Sequence, residues 1–305
     1  MFRVGNRGRL AVGAVVVGAA LALSGCAAGD PLETESGKTD SAGGTIVVGS
    51  QAYPSNELIA EIYAQALEAE DFTVERQFNI GQRDAYLPAL ESGEVDLFPE
   101  YTGNLLQFYD PETTATTSQD VYAALQEALP EGLAVLDQSP ATDQDSYNVT
   151  AEFAEDNNLT TIADLAAIEN LTLGGNAELA ERPYGPSGLQ SVYGVTVDFS
   201  ATGDTTVDAL VEETIDVANV YSADPRIQTE DLVTLEDPAG LFLASNVVPL
   251  VSTDVADQIA DVINAVSAAL TPEGLVELNV KYTVDQESLE DVAGEWLAAN
   301  GFTAQ

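Results

Sequence analysis

The clearest pattern in the chain is a change from apolar to polar residues within Leu87–Phe108. It begins with the end of a short apolar helix and a turn, and it continues as a buried strand, Val95–Phe98, that ends at Pro99. The polar run Glu100–Asn104 follows at the carboxyl end of that strand. Open α/β sheets bind ligands at this edge, beside helix N-termini. We therefore expect Tyr101 to point into a crevice, although its spacing equally fits a residue that only caps the sheet edge.

Strand and helix patterns alternate before this stretch. A β-branched run at Thr45–Ser50, an amphipathic helix at Glu57–Glu70 and an alternating strand at Phe72–Phe78 precede it. The order β-α-β-α-β predicts a parallel sheet covered by helices. The elements predicted further along include helices at Ile162–Ala167 (capped by Thr161), Thr205–Glu213, Asp254–Leu270, Thr271–Asn279 and Leu289–Asn300, with Trp296 facing inward, and strands at Leu171–Gly175 and Asp216–Tyr221.

Two breaks in the pattern predict two lobes. Ser139–Asp145 interrupts the alternation, and we interpret it as the first crossing between lobes. Gly240–Ser245 is interpreted as the return crossing, and Val247–Val251 as a strand that rejoins the first lobe. The predicted boundaries are residues 45–141 and 246–305 for lobe I and 142–245 for lobe II.

An internal echo supports this division. The segment Val207–Ala218 repeats the design of Tyr86–Phe98, which is a helix with Ala-Leu, an acidic turn and a strand that opens with aspartate. Each lobe then ends a strand with a tyrosine, Tyr101 in one and Tyr221 in the other.

The first 26 residues have the composition of a targeting segment. Three arginines precede an uncharged run, Leu10–Leu23, which is shorter than the roughly 20 residues that span a membrane. The sequence ending in Cys26 predicts a bacterial signal peptide with a lipobox. Cys26 is the only cysteine, so no internal disulfide is expected, and a structural free thiol is the alternative to lipidation. Residues 27–44 are polar and predict a flexible tether that holds an exported protein on the extracytoplasmic face of the cell membrane.

Charge excludes one class of partner. All 51 acidic residues but only six of the nine basic residues follow Cys26, so the chain beyond it carries a formal net charge of −45. Such a surface repels phosphates, which excludes nucleic acid as a partner. Salt adaptation explains the acidity without any specific role, and a secondary effect is weak attraction of cationic ligands.

Several motifs together carry a family resemblance. They are Val48–Ser50 with Tyr53 and Glu57–Ile59, Ala89–Asp96, Pro99–Gly103, Ser222–Ile227 and Leu232–Asp237. With them the chain resembles the osmoprotectant substrate-binding proteins of ABC transporters, the OpuAC-like glycine betaine/carnitine/choline family. The resemblance implies a two-lobed, type II periplasmic-binding-protein fold with two hinge crossings, an ABC permease with its ATPase as partner, and no cofactor or metal.

The resemblance also implies a binding site. In this family the lobes close on a quaternary ammonium group, which tyrosines hold by cation–π contact. By match to the family's motifs, Tyr101, Tyr147 and Tyr221 fall at box positions and Asp145 at the acidic position beside them. Arg182 matches an arginine that clamps a ligand carboxylate, because guanidinium offers paired donors.

Three positions depart from the family pattern. Gln51 stands where many members have lysine, Asn104 where many have threonine, and Ser245 where a further tyrosine is often found. Phe242 or Tyr53 is then expected to supply the missing aromatic wall. A neutral Gln51 leaves Arg182 to balance a carboxylate, and choline is therefore expected to bind at least comparably to glycine betaine.

Other functions fit the sequence less well. The chain has no histidine, and we find no nucleophile elbow, phosphate-binding loop or metal-spaced cluster, which argues against an enzyme. No EF-hand-type calcium loop is visible. A surface lipoprotein with a structural or other solute-binding role is the alternative, but it leaves the PEYTG run and Arg182 unexplained.

Overall fold

Two five-stranded sheets organise the computed structural model, which describes residues 44–302. The described residues all lie within a single compact unit. The strands are β1 Ile46–Gly49, β2 Val74–Gln77, β3 Leu97–Tyr101, β4 Leu133–Val135, β5 Asp145–Thr150, β6 Leu171–Gly175, β7 Val197–Ala201, β8 Val217–Tyr221, β9 Leu232–Thr234 and β10 Val247–Ser252. The α-helices are α1 Pro54–Ala69, α2 Arg83–Glu91, α3 Thr102–Tyr109, α4 Ser118–Ala128, α5 Ala151–Asn157, α6 Pro186–Gly188, α7 Thr206–Val211, α8 Arg226–Thr229, α9 Thr253–Ala269, α10 Pro272–Asn279 and α11 Leu289–Ala299. The 3₁₀ segments are Ile162–Ala167, Ala177–Glu181 and Gly203–Thr205, and π-helical turns cover Leu189–Tyr193 and Val280–Val284.

The first sheet has the strand order β2-β1-β3-β10-β4. Strand β1 pairs in parallel with β2 and β3, as the β-α-β-α-β pattern predicts. Strand β10 is antiparallel to both β3 and β4. It runs the other way because the chain returns from the second lobe at the edge where β3 ends, so that Val247 lies opposite Tyr101.

Pro99 lies inside strand β3, so the prediction that the strand ends there is wrong. In the β3–β10 ladder Pro99 lies opposite Pro249. The carbonyl of Pro99 accepts from Asn56 Nδ2 at 2.9 Å, and the carbonyl of Pro249 accepts from the Leu136 N–H at 3.0 Å. Both carbonyls therefore point away from the facing residue, so Pro99 and Pro249 form a non-hydrogen-bonded pair. Residues in such a pair exchange no N–H bonds, and the N–H that proline lacks is not needed there.

The second sheet has the order β7-β6-β8-β5-β9, with β6 parallel to β7 and β8 and with β5 antiparallel to β8 and β9. The aspartates of the repeated motif, Asp96 and Asp216, make the same hydrogen bond in the two lobes. Asp96 Oδ2 accepts from the Val47 N–H at 2.8 Å, and Asp216 Oδ2 accepts from the Thr172 N–H at 2.8 Å. Each carboxylate thus joins the start of one strand to its parallel neighbour before the ladder begins.

Each sheet is covered by its own apolar clusters, which gives two lobes. Helix α1 is buried along most of its length, packing with α9, α10 and α11 on one face of the first sheet. The other face of that sheet packs with α2, α3 and α4, and the second sheet has separate clusters. Two crossings join the lobes, and they lie side by side because Thr142 and Asn246 form an isolated antiparallel bridge.

Within residues 44–302 no single helix is long and apolar enough to cross a membrane. Helix α9 and the segment Pro272–Val284 are together long and apolar enough, but they form a pair that is bent by 87°. The predicted signal peptide, Cys26 and nearly all of the predicted tether lie outside the described residues.

Candidate functional site

A cavity of about 30 Å³ lies between the lobes. We call it the interlobe cavity. It is lined by Gln51, Tyr53, Gln82, Arg83, Tyr101, Asn104, Asp143, Asp145, Asn176, Glu178, Leu179, Arg182, Tyr184, Asn219 and Tyr221. Most of its wall is polar or aromatic, and it draws on both sheets.

Three tyrosines form a continuous aromatic surface in this cavity. The ring centroids of Tyr53 and Tyr221 are 5.1 Å apart and the rings are stacked, and the centroids of Tyr53 and Tyr101 are 6.3 Å apart. Tyr53 immediately precedes α1, while Tyr101 and Tyr221 end β3 and β8. The aromatic surface therefore joins two residues of the first lobe to one residue of the second.

Asparagine side chains hold two of these rings in equivalent ways. Asn56 Nδ2 lies 3.4 Å from the Tyr101 hydroxyl and 2.9 Å from the Pro99 carbonyl, and its Oδ1 accepts from the Gln51 N–H at 2.8 Å. In the other lobe Asn176 Nδ2 lies 3.4 Å from the Tyr221 hydroxyl. One buried amide thus connects the loop after β1 to the end of β3, where the site begins.

A buried ion pair lies behind Tyr101. Glu100 is completely buried, and its two oxygens accept from Arg83 Nε and Nη2 at 2.8 and 2.9 Å. Glu100 also accepts from the Tyr86 hydroxyl and from the Tyr101 N–H, the latter at 2.7 Å. The carboxylate is therefore fully paired, as a buried charge must be, and it fixes the backbone that carries Tyr101.

Asn104 connects the lobes. Its Nδ2 donates to Asp145 Oδ2 at 2.6 Å and to the Tyr184 hydroxyl at 2.9 Å, and both acceptors belong to the second lobe. Its Oδ1 accepts from Ser245 Oγ at 2.7 Å, while that hydroxyl also accepts from the N–H groups of Gly103 and Asn104 at 3.2 and 3.4 Å. Asn104 and Ser245 are thus bonded partners, and Ser245 satisfies N–H groups at the start of α3.

The cavity contains both signs of charge. Arg182 is partly buried, and within the part of the chain that the structure describes it is the one cation without a carboxylate inside ion-pair distance, since Arg76, Arg83, Arg226 and Lys281 are all paired. Two buried carboxyls, Asp143 and Asp145, face the same space. Burial raises the pKa of both, that of Asp143 to about 7, while the Asn104 amide partly offsets the rise for Asp145.

The tyrosine hydroxyls of the cavity stay neutral at physiological pH. Burial raises the pKa of Tyr53, Tyr101, Tyr184 and Tyr221, and nearby carboxylates add to the effect. Neutral phenols keep the electron-rich ring faces that attract cations.

Seven of the nine predicted ligand-binding residues line the interlobe cavity. They are Gln51, Tyr53, Tyr101, Asn104, Asp145, Arg182 and Tyr221. Tyr147 and Phe242 do not line it. Tyr147 is fully buried in the core of the second lobe, where its hydroxyl donates to the Tyr184 carbonyl and its ring packs edge-on against Phe242 with centroids 5.1 Å apart. The two residues support Tyr184, whose ring centroid is 5.6 Å from that of Phe242.

Other cavity residues have no counterpart in the sequence prediction. The most consequential are Asp143, Tyr184, Asn219, Asn176 and Arg83. Asp143 and Tyr184 lie within segments that the sequence singles out, the first crossing and the loop that carries Arg182. Their position within those segments was the only sign in the sequence that they could line the cavity. The sequence alone does not show which side chains of a segment face it.

A second, larger cavity adjoins the first. Its volume is about 520 Å³, and Tyr53, Asp143, Asn176, Asn219 and Tyr221 line both cavities. No cluster of three or more potential metal ligands occurs among residues 44–302. The arrangement suits a small organic ion: ring faces and carboxyls for a cation, and Arg182 for an anionic group.

Comparison with known proteins gives a consistent result. Residues 44–299 match the model of the family described as the substrate-binding domain of the ABC-type glycine betaine transport system. The chain is 28% identical over 278 residues to the glycine betaine-binding protein YehZ of Escherichia coli, covering 85% of this chain and 91% of the relative. It is 24% identical over 269 residues to the carnitine transport binding protein OpuCC of Listeria monocytogenes, covering 85% and 87%. A crystal structure of a glycine betaine/carnitine/choline ABC transporter superposes with a TM-score of 0.70 at 22% identity, covering 84% of this chain and 99% of the other.

Proposed function

Because the chain belongs to the family of substrate-binding domains of ABC-type glycine betaine transport systems, we propose that it captures a quaternary ammonium compound outside the cytoplasm and delivers it to an ABC permease. Its two-lobed fold is that of the type II periplasmic binding proteins. The family consists of solute-binding components of importers and not of enzymes.

One observation carries the proposal. Four tyrosines, two from each lobe, line a single cavity that also contains two carboxyls and Arg182, which has no ion-pair partner among residues 44–302. They are Tyr53, Tyr101, Tyr184 and Tyr221. A trimethylammonium group has no N–H, so hydrogen bonds cannot hold it, whereas ring faces attract it by about 0.5–2 kcal/mol each once water is excluded.

We assign roles from the charges. The rings and the Asp145 carboxylate hold the ammonium head, and Asn104 orients that carboxylate through its bond of 2.6 Å. Arg182 receives a ligand carboxylate where one is present, because burial of an unpaired carboxylate costs several kcal/mol. The relatives are named for glycine betaine, carnitine and choline, which are therefore the first ligands to test.

The present cavity volume supports binding by movement of the lobes. One ordered water molecule needs roughly 10–15 Å³ of such space, so a cavity of about 30 Å³ holds only about two, and a trimethylammonium group is larger. The stacked rings of Tyr53 and Tyr221 belong to opposite lobes. A ligand therefore enters when the lobes part, and the rings close again on the ligand instead of on each other.

The test is a calorimetric titration with glycine betaine, choline, carnitine, proline betaine and a neutral sugar. We expect at least one quaternary ammonium compound to bind and the sugar not to bind. Replacing Tyr101 by leucine should weaken that ligand by about tenfold or more, from roughly 1–2 kcal/mol per desolvated cation–π contact. Tyr101→Phe, which keeps the ring, is the matched control and should retain most of the affinity. Equal affinities of the leucine and phenylalanine variants would contradict the aromatic box.

We also propose that the protein is lipid-anchored through Cys26. The support is the sequence alone: an arginine leader, an uncharged run and the sole cysteine after Leu-Ser-Gly. In cells that carry out lipoprotein processing, the wild-type chain should partition into detergent and incorporate labelled fatty acid, and Cys26→Ser should do neither. A Cys26→Ser chain that still incorporates the label would contradict this assignment.

A further inference from the structure

Asp143 is attached to the second lobe, although it lies on the first crossing. The Ser222 N–H donates to the Gln144 carbonyl at 2.9 Å, and the Ala223 N–H donates to Asp143 Oδ1 at 3.0 Å. These bonds extend the antiparallel pairing of β5 with β8. The Asp143 carboxyl therefore moves with the second lobe when the lobes part.

The first lobe covers this carboxyl, which is only 2% exposed. Asn279 of α10 donates through Nδ2 to the Ala223 carbonyl at 2.9 Å and to Ser55 Oγ at 3.3 Å. Ala223 is itself packed into the apolar cluster around α1 of the first lobe. One residue of the second lobe thus bonds Asp143 through its N–H and Asn279 through its carbonyl. Closure of the lobes therefore removes the Asp143 carboxyl from water.

Two acceptor atoms at this contact have no donor. Asp143 Oδ2 and Asn279 Oδ1 are both buried, and neither has a hydrogen-bond partner among the described residues. Turning the Asn279 amide does not help, because the Ala223 carbonyl needs its Nδ2. Most buried polar atoms have a partner. A proton on Asp143 Oδ2 removes one unpaired acceptor and supplies a donor at the same contact, because a carboxylic acid donates where a carboxylate only accepts.

No positive charge is among the groups that most influence Asp143. Burial raises its pKa to about 7, and the Ala223 N–H and the Ser55 hydroxyl offset only part of the rise. The other groups that act on this carboxyl are neutral hydroxyls and further carboxylates, namely Tyr53, Tyr101, Tyr221, Asp145 and Asp224. Ionised Asp143 therefore has no cationic partner at this contact.

The remaining charged residues near Asp143 are those that line the two cavities with it. They are Glu57, Arg83, Glu178, Arg182, Asp204 and Arg226. Arg83 is paired with Glu100 and Arg226 with Asp224. Because three of the six are acidic and two of the three arginines are paired, this second set of residues does not neutralise Asp143 either.

We propose that Asp143 is a proton-dependent latch between the lobes, so that its protonation favours the closed ligand-free form and its ionisation favours the open form. In the open form water hydrates both carboxylate oxygens. In the closed form the neutral acid leaves no buried charge, whereas the carboxylate would be buried without a cation. The inference concerns movement of the lobes in the absence of ligand, so it goes beyond the proposed function.

The direction of the pH effect follows from the two forms. The pKa of Asp143 is about 7 in the closed form, and it should be near the usual value of about 3.9 in the open form, where water reaches the carboxyl. The closed form binds the extra proton between these values, so its advantage is lost as pH rises through 7. Between pH 6 and pH 8 the ratio of closed to open molecules should fall by about tenfold. The chain has no histidine, so no side chain with an ordinary pKa changes charge in this range.

Small-angle scattering of the ligand-free protein at pH 6, 7 and 8, at constant ionic strength, tests the latch. The radius of gyration of the wild type should rise from pH 6 to pH 8. Asp143→Asn is uncharged and mimics the protonated acid, so its radius should stay at the wild-type pH 6 value throughout. Asp198→Asn removes one negative charge from an exposed position on the edge strand β7 and is the matched control, which should follow the wild type.

A second background makes the test decisive, because a protein that stays almost entirely closed would show no change. Asn104→Ala loses the bonds to Asp145 and Tyr184 and weakens closure, so its radius should respond to pH as well. A radius that is independent of pH in both wild type and Asn104→Ala overturns the latch. A pH response that persists in Asp143→Asn, shown to be folded by circular dichroism, also overturns it. Neither result depends on ligand binding, so the proposed function is judged separately by its own titration.

Discussion

Arg182 shows how a single residue can decide between ligands of one class. It is the cation left unpaired among residues 44–302, and it lines the same cavity as the neutral Gln51. A glycine betaine carboxylate therefore depends on it for charge balance, whereas choline has no carboxylate. The prediction that choline binds at least comparably to glycine betaine rests on this weak carboxylate clamp.

We expect Arg182→Gln to weaken glycine betaine by about tenfold to a hundredfold, from roughly 1.5–3 kcal/mol for hydrogen bonds to a charged group. Choline should change by about threefold or less. Competition titration of both ligands on the same preparation measures the two effects. Lys281→Gln, which removes one positive charge from an exposed ion pair with Glu295, controls for long-range charge. Equal losses for the two ligands would contradict the assigned role of Arg182.

The raised pKa of Asp143 predicts how stability depends on pH. The folded-state pKa of about 7 lies above the unfolded value of about 3.9, so the folded protein binds more protons between these values. This carboxyl therefore opposes folding increasingly as pH rises from about 4 to 7. Removing it in Asp143→Asn should stabilise the protein more at pH 8 than at pH 5, by at most about 3 kcal/mol, because the folded pKa lies about two units above pH 5 and each unit is worth about 1.36 kcal/mol.

Urea unfolding of wild type and Asp143→Asn at pH 5, 6, 7 and 8 measures this effect. Titrating groups that do not interact with Asp143 are common to both proteins and cancel in the difference, whereas Asp145 and Asp224 interact with it. A stability difference that does not change with pH would show that Asp143 is ionised equally in the folded and unfolded chains.

At the residue scale, sequence reasoning found the cavity residues that belong to recognisable motifs, including Tyr101, Arg182 and Tyr221. It did not find Asp143, Tyr184 or Asn219, and it included Tyr147, which is buried in the second lobe. The reason is geometric. Tyr147 and Asp145 are two positions apart on β5 and share a face, but the cavity reaches only the first residue of that strand.

At the scale of elements, the sequence predicted most strands and helices to within a few residues. Strand β6 was predicted with its observed ends, because its apolar run is bounded by clear turn residues. The beginning of α1 was missed by three residues, since Pro54 starts the helix and proline is well suited to the first turn. The end of β3 was also missed. A proline is tolerated in a central strand only where the neighbouring strands do not need its N–H, and a single sequence does not show which strand positions face each other.

The start of helix α3 depends on close contact with the return crossing. A Cβ added at Gly103 would lie 2.8 Å from the Ala244 carbonyl oxygen and 3.0 Å from Leu243 Cβ. We expect Gly103→Ala to destabilise the fold by about 1–3 kcal/mol, which is the usual cost of overpacking. The helix would have to move away from the crossing that carries Ser245, so ligand affinity should fall as well.

Gly294→Ala is the matched control, because it places the same methyl group in α11, where only the flexible Gln65 side chain is near, at 3.2 Å. The better helix propensity of alanine should leave stability unchanged or raise it by up to about 1 kcal/mol. Chemical unfolding of both variants measures the contrast. A Gly103→Ala protein as stable as Gly294→Ala would contradict the packing argument.

At the scale of the whole molecule, the two-lobed α/β fold that the sequence predicts is confirmed by the family match and by superposition on substrate-binding proteins. The alternation of strands and helices, its two breaks and the repeated aspartate motif were sufficient to predict it. The antiparallel direction of β10 follows because the chain returns from the second lobe at the edge of the first sheet where β3 ends.

We predict that the lobes rotate about the crossings Pro140–Asp145 and Gly240–Ser245. Ligand at saturating concentration should lower the radius of gyration measured by small-angle scattering, because closure around the ligand replaces a mixture of open and closed molecules. Asn104→Ala, which loses the bonds to Asp145 and Tyr184, should raise the radius of gyration of the ligand-free protein. Identical scattering with and without a ligand of proven affinity would contradict the rotation.

The stacking of Tyr53 on Tyr221 has a consequence for how affinities are interpreted. These rings contact each other, so a cation that inserts between them exchanges one ring–ring contact for two ring–cation contacts. Aromatic pairs of this kind contribute about 0.5–1.5 kcal/mol, and the measured free energy of binding is smaller by that amount. The protein thus contains an internal competitor for its own ligand. Deleting one of these two rings removes the competitor together with the contact, and its cost will understate the strength of the cation–ring attraction.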